Sequence, residues 1–266
     1  MFKTIGICGT GNMGRAIVKG LTASGLIKPG NILLYNIHSA KAQALADETG
    51  ASVVYSAAEL AERSQGLIMA VKPHILPSSL EEVRGCVKED TVIISIAAGL
   101  TLDRLAGCLP EKAKIVRVMP NTPSMVGEGM ASVSPNAYAT EEDVQAVLDI
   151  FRSFGKAEIM EERLIDAVCG VSGSAPAYVY MFIEALADGA VLEGMPRHTA
   201  YTFAAQTVLG AAKMVLESGM HPGKLKDDVC SPGGTTIEAV LALEQRGFRA
   251  AVAEAVIASA EKNKTM

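Results

Sequence analysis

Basic residues never cluster in this chain of 266: 24 Lys and Arg are scattered among 29 Asp and Glu, giving a net charge of −5. A nucleic-acid face or an anionic-membrane surface needs concentrated positive charge, so neither is a partner by this reading. Cysteine is scarce as well. Cys8, Cys86, Cys108, Cys169 and Cys230 are odd in number, far apart and without a C-x-x-C pair. That pattern argues against both a disulfide framework and a zinc site. His38, His74, His198 and His221 are equally dispersed and form no local metal motif. Long apolar runs are also missing. The run Ile5–Cys8 is cut by Gly9 and Gly11, too short for the core of a secretion signal. Thr91–Leu102 is uncharged for only 12 residues, against the roughly 20 that a membrane span needs. The 17 residues of Ala167–Ile183 are interrupted by Gly170, Ser172, Gly173, Ser174 and Pro176. Both stretches are expected to be buried segments of a soluble protein, in a reducing cytoplasm and without a metal.

What the chain does have is apolar side chains, 49% against 20% charged. That is enough for a sizeable core in one large or two ordinary domains, and too much for global disorder. Through residue 160 the apolar runs Thr4–Cys8, Ile32–Asn36, Leu67–Ala70, Val92–Ile96 and Ile115–Met119 read as strands. Several are apolar at consecutive positions, as parallel strands covered on both faces require. Amphipathic helices such as Arg15–Thr22, Ala40–Glu48 and Leu80–Val87 lie between them, and Ser56 with Glu59 forms an S-x-x-E capping box. Residues 1–160 are therefore expected to form a doubly wound α/β domain.

Beyond residue 160 the strand signals stop and helices follow: Ala177–Glu193, Thr199–Glu217, Thr236–Gln245 and Phe248–Glu261. Between residues 167 and 216 only Glu184, Asp188, Glu193, Arg197 and Lys213 are charged, half the chain's average density. Helices apolar most of the way round must be covered, and a hundred residues cannot bury so much alone. Residues 161–266 are expected to be all-helical and to join copies of the chain.

Gly9-Thr10-Gly11-Asn12-Met13-Gly14 is G-x-G-x-x-G, directly after the first strand and opening a helix. Gly9 permits the tight turn, Gly11 lets the backbone approach a pyrophosphate, and Gly14 lets helix and strand pack closely, the fingerprint of a dinucleotide-binding Rossmann domain. The helix N-terminus then offers free N–H groups to the phosphates. Cys8 through Met13 are the expected contacts. Second-strand residues discriminate the cofactor: NAD sites usually carry an acid there for the ribose 2′-hydroxyl. This chain has Asn36, followed by Ile37, His38, Ser39, Ala40 and Lys41. No carboxylate repels a 2′-phosphate, and Asn36, Ser39 and Lys41 have groups to bond one, so NADP is favoured with NAD tolerated. Ala70-Val71-Lys72-Pro73 and Ala97-Ala98-Gly99 follow the fourth and fifth strands, where open α/β sheets bind ligands. On sequence alone Lys72 reads equally as a cation for the site or as a solvated loop lysine.

Two loops of the helical half concentrate hydroxyls and glycines: Gly170-Val171-Ser172-Gly173-Ser174-Ala175-Pro176, and Ser231-Pro232-Gly233-Gly234-Thr235-Thr236. Thr235 with Glu238 fits a T-x-x-E capping box. Spacing allows both loops to be turns and caps, or a seat in which N–H groups and the hydroxyls of Ser174 and Ser231 hold a small carboxylate. Thr236, just inside the helix, would keep its hydroxyl free.

With these segments in view, the chain resembles the pyrroline-5-carboxylate reductase family over essentially its whole length. The resemblance is carried by Gly11-Asn12-Met13-Gly14, Ala70-Val71-Lys72-Pro73, Met119-Pro120-Asn121-Thr122-Pro123, Ser172–Tyr178, His221-Pro222-Gly223 and Ser231–Thr236. One departure is Ala175, where many members have Gly. The resemblance implies reduction of 1-pyrroline-5-carboxylate to L-proline, with a C-terminal dimerisation domain and often a decamer of dimers. It also implies that Thr236 contacts the substrate or donates a proton, that Ser231, Gly233, Gly234 and Thr235 line a carboxylate pocket, and that Lys72 and Ala98 face the nicotinamide. A cyclic imine accepts hydride best once its nitrogen is protonated, so a positioned hydroxyl suits the reaction. It needs no metal, the imine being electrophilic already. Rival readings are a β-hydroxyacid dehydrogenase-like enzyme, a reductase of another imine, and a dinucleotide sensor without turnover. The first carries a catalytic Lys in a G-x-x-x-N-x-x-K helix, and the segment around Gly210 and Lys213 lacks that Asn.

Overall fold

The computed structural model describes residues 1–265 and divides them into two compact units. The first runs from Met1 to Ser174 and takes back the residues from Ala258 onward; the second is Ala175–Ile257. The sequence expectation puts a single boundary at 160/161, whereas the chain passes between the units at 174/175 and again at 257/258.

The first unit alternates strand and helix: β1 (Ile5–Cys8), α1 (Asn12–Ser24), β2 (Ile32–Tyr35), α2 (Ser39–Thr49), β3 (Ser52–Val53), α3 (Ala57–Arg63), β4 (Gly66–Met69), α4 (Leu76–Val83), β5 (Val92–Ser95), α5 (Leu102–Gly107) and β6 (Lys114–Met119). It closes with β7 (Gly129–Pro135), α6 (Glu141–Arg152), β8 (Gly155–Ile159) and the single turn α7 (Ile165–Val168). The eight strands lie in the order β3-β2-β1-β4-β5-β6-β7-β8. All neighbours are parallel except β6 and β7, which pair antiparallel. Strand order therefore reverses between β1 and β4, the place where open α/β sheets open a ligand crevice.

The apolar runs have a direct structural cause. Ile5, Ile7, Ile32, Leu34, Ile68, Ile94 and Val116 enter the core on one face of the sheet, with Ile17, Leu21 and Phe151 from the helices. Their strand neighbours Cys8, Leu33, Leu67, Met69, Ile93 and Ile115 enter the core on the other, with Leu60, Leu76 and Leu80. Side chains alternate with a period of two, so a strand apolar at every position fills both layers. Each such side chain contributes about 1.5–3 kcal/mol on burial. Ser56 caps α3 as its sequence predicts, its Oγ accepting from Glu59 N at 3.1 Å. The Glu59 carboxylate accepts from Tyr55 N instead of closing the box on Ser56.

The second unit is helical: α8 (Ala175–Leu192), α9 (Arg197–Ser218), α10 (Pro222–Asp228), α11 (Thr235–Gln245) and the greater part of α12 (Phe248–Lys264). Helix α10 has no counterpart in the sequence reading. His221 is its N-cap, the Nδ1 accepting from Gly223 N at 3.0 Å. The buried apolar residues of this unit are only Ala187, Ala200 and Ala204. Met181, Phe203, Leu209, Met214, Leu216 and Ile257 all stand more than half exposed on the single chain. The expectation that Ala167–Ile183 is buried is thus not met within one chain: most of its side chains are half-buried or exposed. The helical run Glu162–Leu192 is long and apolar enough, by length and composition, to cross a membrane.

Candidate active site

The Gly-rich turn sits at the C-terminal end of β1, beside the reversal of strand order. Gly9 has φ +102°, and a Cβ there would lie 2.6 Å from the Ala70 carbonyl oxygen. A Cβ on Gly14 would lie 2.1 Å from the Gly9 oxygen. Both glycines are demanded by the fold. Gly11 is different: a Cβ there would meet nothing within 4 Å. It is the N-cap of α1, with no side chain capping it and no acid in the first turn, so the helix N–H groups face outward uncontested. Backbone bonds from Gly9 N to Tyr35 O and from Ala70 N to Cys8 O, both 2.8 Å, hold the ends of β1, β2 and β4 together.

Each expected cofactor residue has a defined place. The Cys8 side chain is buried, and burial, reinforced by Glu82, pushes its thiol up to about 12. Cys8 can therefore face a ligand only through its backbone. Asn36 Nδ2 donates to Thr10 Oγ1 at 2.7 Å, and its Oδ1 accepts from His38 N at 3.0 Å. Its amide thus clamps the turn to the start of α2, and Ser39 and Lys41 are the exposed groups there. Helix α2 likewise starts without a side-chain cap or a first-turn acid. Lys72 is exposed and has no ion-pair partner among the described residues. A cleft of about 490 Å³ lies beside the loops that follow β4 and β5, lined by Pro73, His74, Pro77, Ala98, Gly99 and Arg104. Open backbone at Gly11, bare helix N-termini and small residues at Ala70, Ala97 and Ala98 fit a dinucleotide.

Within the helical unit, Ser231–Thr236 forms a tight loop. Gly234 N donates to Ser231 O at 3.0 Å, Gly233 has φ +67°, and a Cβ on Gly234 would lie 2.5 Å from Ser231 Oγ. The capping box expected from Thr235 and Glu238 does not form. Gly234 is the N-cap and Thr235 the first helical residue, so Thr235 is one position too late for its hydroxyl to reach back. The hydroxyls of Thr235 and Thr236 consequently make no hydrogen bond among the described residues, Thr236 being half-buried. Ser174, in the first unit, shares a 2.7 Å hydrogen bond with Ser259 Oγ. It follows a turn of π-helix, Cys169–Gly173, closed by Ser174 N donating to Cys169 O.

Sequence reading missed two buried polar groups, Asn121 and Arg117, and the half-buried Glu162, which brace the first unit. Asn121 donates to Ser172 O at 3.1 Å and accepts from Met130 N at 2.9 Å. Arg117 pairs with Glu162. These partners are 45 and 51 residues apart, and no local pattern signals such pairings.

Residues 4–99 match the family model described as NADP oxidoreductase, coenzyme F420-dependent. With the Gly-rich turn at the strand-order reversal, this defines an NAD(P)-dependent oxidoreductase. Residues 162–266 match the model described as pyrroline-5-carboxylate reductase dimerisation. The pyrroline-5-carboxylate reductase of Escherichia coli K12 is 55% identical over 266 residues, 100% of this chain and 99% of that one. That of Methanosarcina acetivorans is 45% identical, covering 99% and 98%. The crystal structure of the Plasmodium falciparum pyrroline carboxylate reductase with NADP bound superposes with a TM-score of 0.88 at 35% identity, covering 98% of this chain and 97% of that one. The chain belongs to the pyrroline-5-carboxylate reductase family. Residues 162–266 are a dimerisation domain, which accounts for apolar helix faces without cover in the single chain.

Proposed function

We infer that the protein reduces 1-pyrroline-5-carboxylate to L-proline with NADPH, the last step of proline biosynthesis, as a cytoplasmic assembly of dimers. The observation that carries this reading is a 55% identity that runs through both units rather than the dinucleotide domain alone. A fold by itself would leave the substrate open.

The chain's own groups divide the work. Gly11 and the α1 N-terminus seat the pyrophosphate, and Ser39, Lys41 and the α2 N-terminus seat the 2′-phosphate. The absence of an acid at the end of β2 supports NADPH over NADH. Ala70–Pro73 and Ala97–Ala98 wall the nicotinamide, with Lys72 as its nearby cation. Bound there, the reduced nicotinamide supplies the hydride. The N–H groups of Gly233 and Thr235, with the Ser231 hydroxyl, hold the substrate carboxylate, and Gly234 keeps the loop open beside it. Thr236 passes a proton to the imine nitrogen, directly or through a water. Fixing both reactants in place provides most of the acceleration.

The test is the loss of reduced-nicotinamide absorbance with purified protein, pyrroline-5-carboxylate and either NADPH or NADH. Rapid oxidation, faster with NADPH, is the expected result. No oxidation by folded protein that binds NADPH would overturn the substrate assignment. Light scattering checks the assembly: a decamer is expected, a dimer alone would remove the higher assembly, and a particle of 27.8 kDa would sink self-association altogether.

A further inference from the structure

We propose that Glu162 is a positioning residue for the reduction, acting on the loop that carries Ala97 and Ala98. This rests on the reading that the loop walls the nicotinamide.

The loop leaves β5 at Ser95, turns at Gly99 (φ +74°) and enters α5 at Leu102. Its entry is held by the sheet, and Ala97 N reaches back to Ser95 Oγ at 3.4 Å. Its exit needs another anchor. Thr101 caps α5 by accepting from Arg104 N, which leaves the Leu102 N–H among the unpaired donors of a first turn. Glu162, 60 residues further along the chain, supplies the acceptor: its Oε1 takes the Leu102 N–H at 2.7 Å. The same oxygen accepts from Arg117 Nη1 at 2.9 Å.

Arg117 is in the middle of β6 and only 6% of its side chain is exposed, so this contact ties the carboxylate to a rigid strand. Charge-assisted bonds of this kind are short and directional. One carboxylate oxygen thus couples the exit of the Ala97–Thr101 loop to the centre of the sheet. The turn that bears Glu162 is itself braced. Ile165 is buried three residues on, and Asp166 accepts from Asn263 Nδ2 at 2.7 Å.

Three variants separate positioning from plain stability. Glu162→Ala removes both bonds. Glu162→Gln keeps an oxygen acceptor for Leu102 N–H and Arg117 while removing the charge. Leu102→Pro deletes the donor while leaving Glu162 and Arg117 intact, at a first helical position that favours proline, after a Thr101 already in the extended conformation that proline requires; it also removes a partly buried leucine side chain, a loss that the melting temperature reports. The readouts are the NADPH dissociation constant by fluorescence titration without pyrroline-5-carboxylate, the split of KM against kcat, and the melting temperature.

The expected result is an NADPH dissociation constant raised about ten-fold in Glu162→Ala and in Leu102→Pro, with Glu162→Gln close to the parent protein. If Glu162→Ala fails to fold, the other two variants still decide. Unchanged NADPH affinity in Leu102→Pro, or a Glu162→Gln as impaired as Glu162→Ala, would overturn the proposal, whatever happens to the melting temperature. Because the affinity is read without the imine, a parent protein inactive on pyrroline-5-carboxylate would contradict the assigned substrate and leave this result standing.

Discussion

Gly11→Val is expected to raise the NADPH dissociation constant on the order of 100-fold or more and to leave the melting temperature nearly where it was. The reason is a contrast among three glycines only a few residues apart. Gly9 needs its positive φ, and Gly14 needs the absence of a Cβ, because protein backbone already occupies that space. Substituting either damages the turn itself. Gly11 has an ordinary φ of −71° and open space where a side chain would project. The fold therefore has no use for a glycine at this position; a ligand lying against the backbone does. A valine there should block the approach of the pyrophosphate while the α1 N-terminus and the sheet remain as they are. Calorimetry with NADPH, paired with a thermal melt, checks both halves of the claim. Normal affinity would move the pyrophosphate away from Gly11, and a large loss of stability would show that the glycine is structural after all.

The second large effect is on turnover. Thr236→Ala should lower kcat about ten-fold or more, less at its minimum than the roughly 10²–10⁴-fold typical of a positioned proton donor, with NADPH affinity unchanged. Thr235 and Thr236 are adjacent, yet their surroundings differ. Thr235 is exposed, whereas Thr236 is half-buried at the second helical position. Neither hydroxyl is spent on a cap, because Gly234 takes that place. A threonine hydroxyl is a weak acid by itself, so the contribution expected of it is to orient the imine nitrogen or a relaying water. Thr236→Ser, which keeps the hydroxyl, should retain most of the rate. A steady-state rate unchanged in Thr236→Ala would remove the residue from the mechanism.

The sequence displayed the dinucleotide half plainly because each central strand must satisfy two apolar layers at once. Ile5, Ile7, Leu33, Leu34, Leu67 and Ile68 have no polar position between them to blur the pattern, and Gly9, Gly11 and Gly14 stand where a first strand ends. The far edge of the sheet was not legible. β7 buries Ser132 and Ser134 alternately with Ala131 and Val133, so serines break the apolar run by which the central strands are recognised. β8 is largely exposed and has little apolar content to signal it. The capping box read at Thr235 failed for a local reason: a glycine one position earlier adopts the cap conformation, and the motif cannot say which residue starts the helix. Arg117, Asn121 and Glu162 could not be paired from sequence, since only the folded sheet brings β6 beside the turn at Glu162. Ser174 was legible as a hydroxyl in a loop but not as the partner of Ser259, 85 residues away.

The return of the chain from the helical unit to the first unit bears on how the protein is made. Asp166 finds Asn263, and Ser174 finds Ser259, only after every residue of Ala175–Ile257 has been synthesised. The cofactor-binding body therefore cannot be finished while the nascent chain is still short, even though its sheet is complete in sequence by Ile159. A chain that stops before Ala258 has all eight strands but leaves Asp166 and Ser174 without these partners, so the turns that follow the sheet are completed only once the assembly helices have been made.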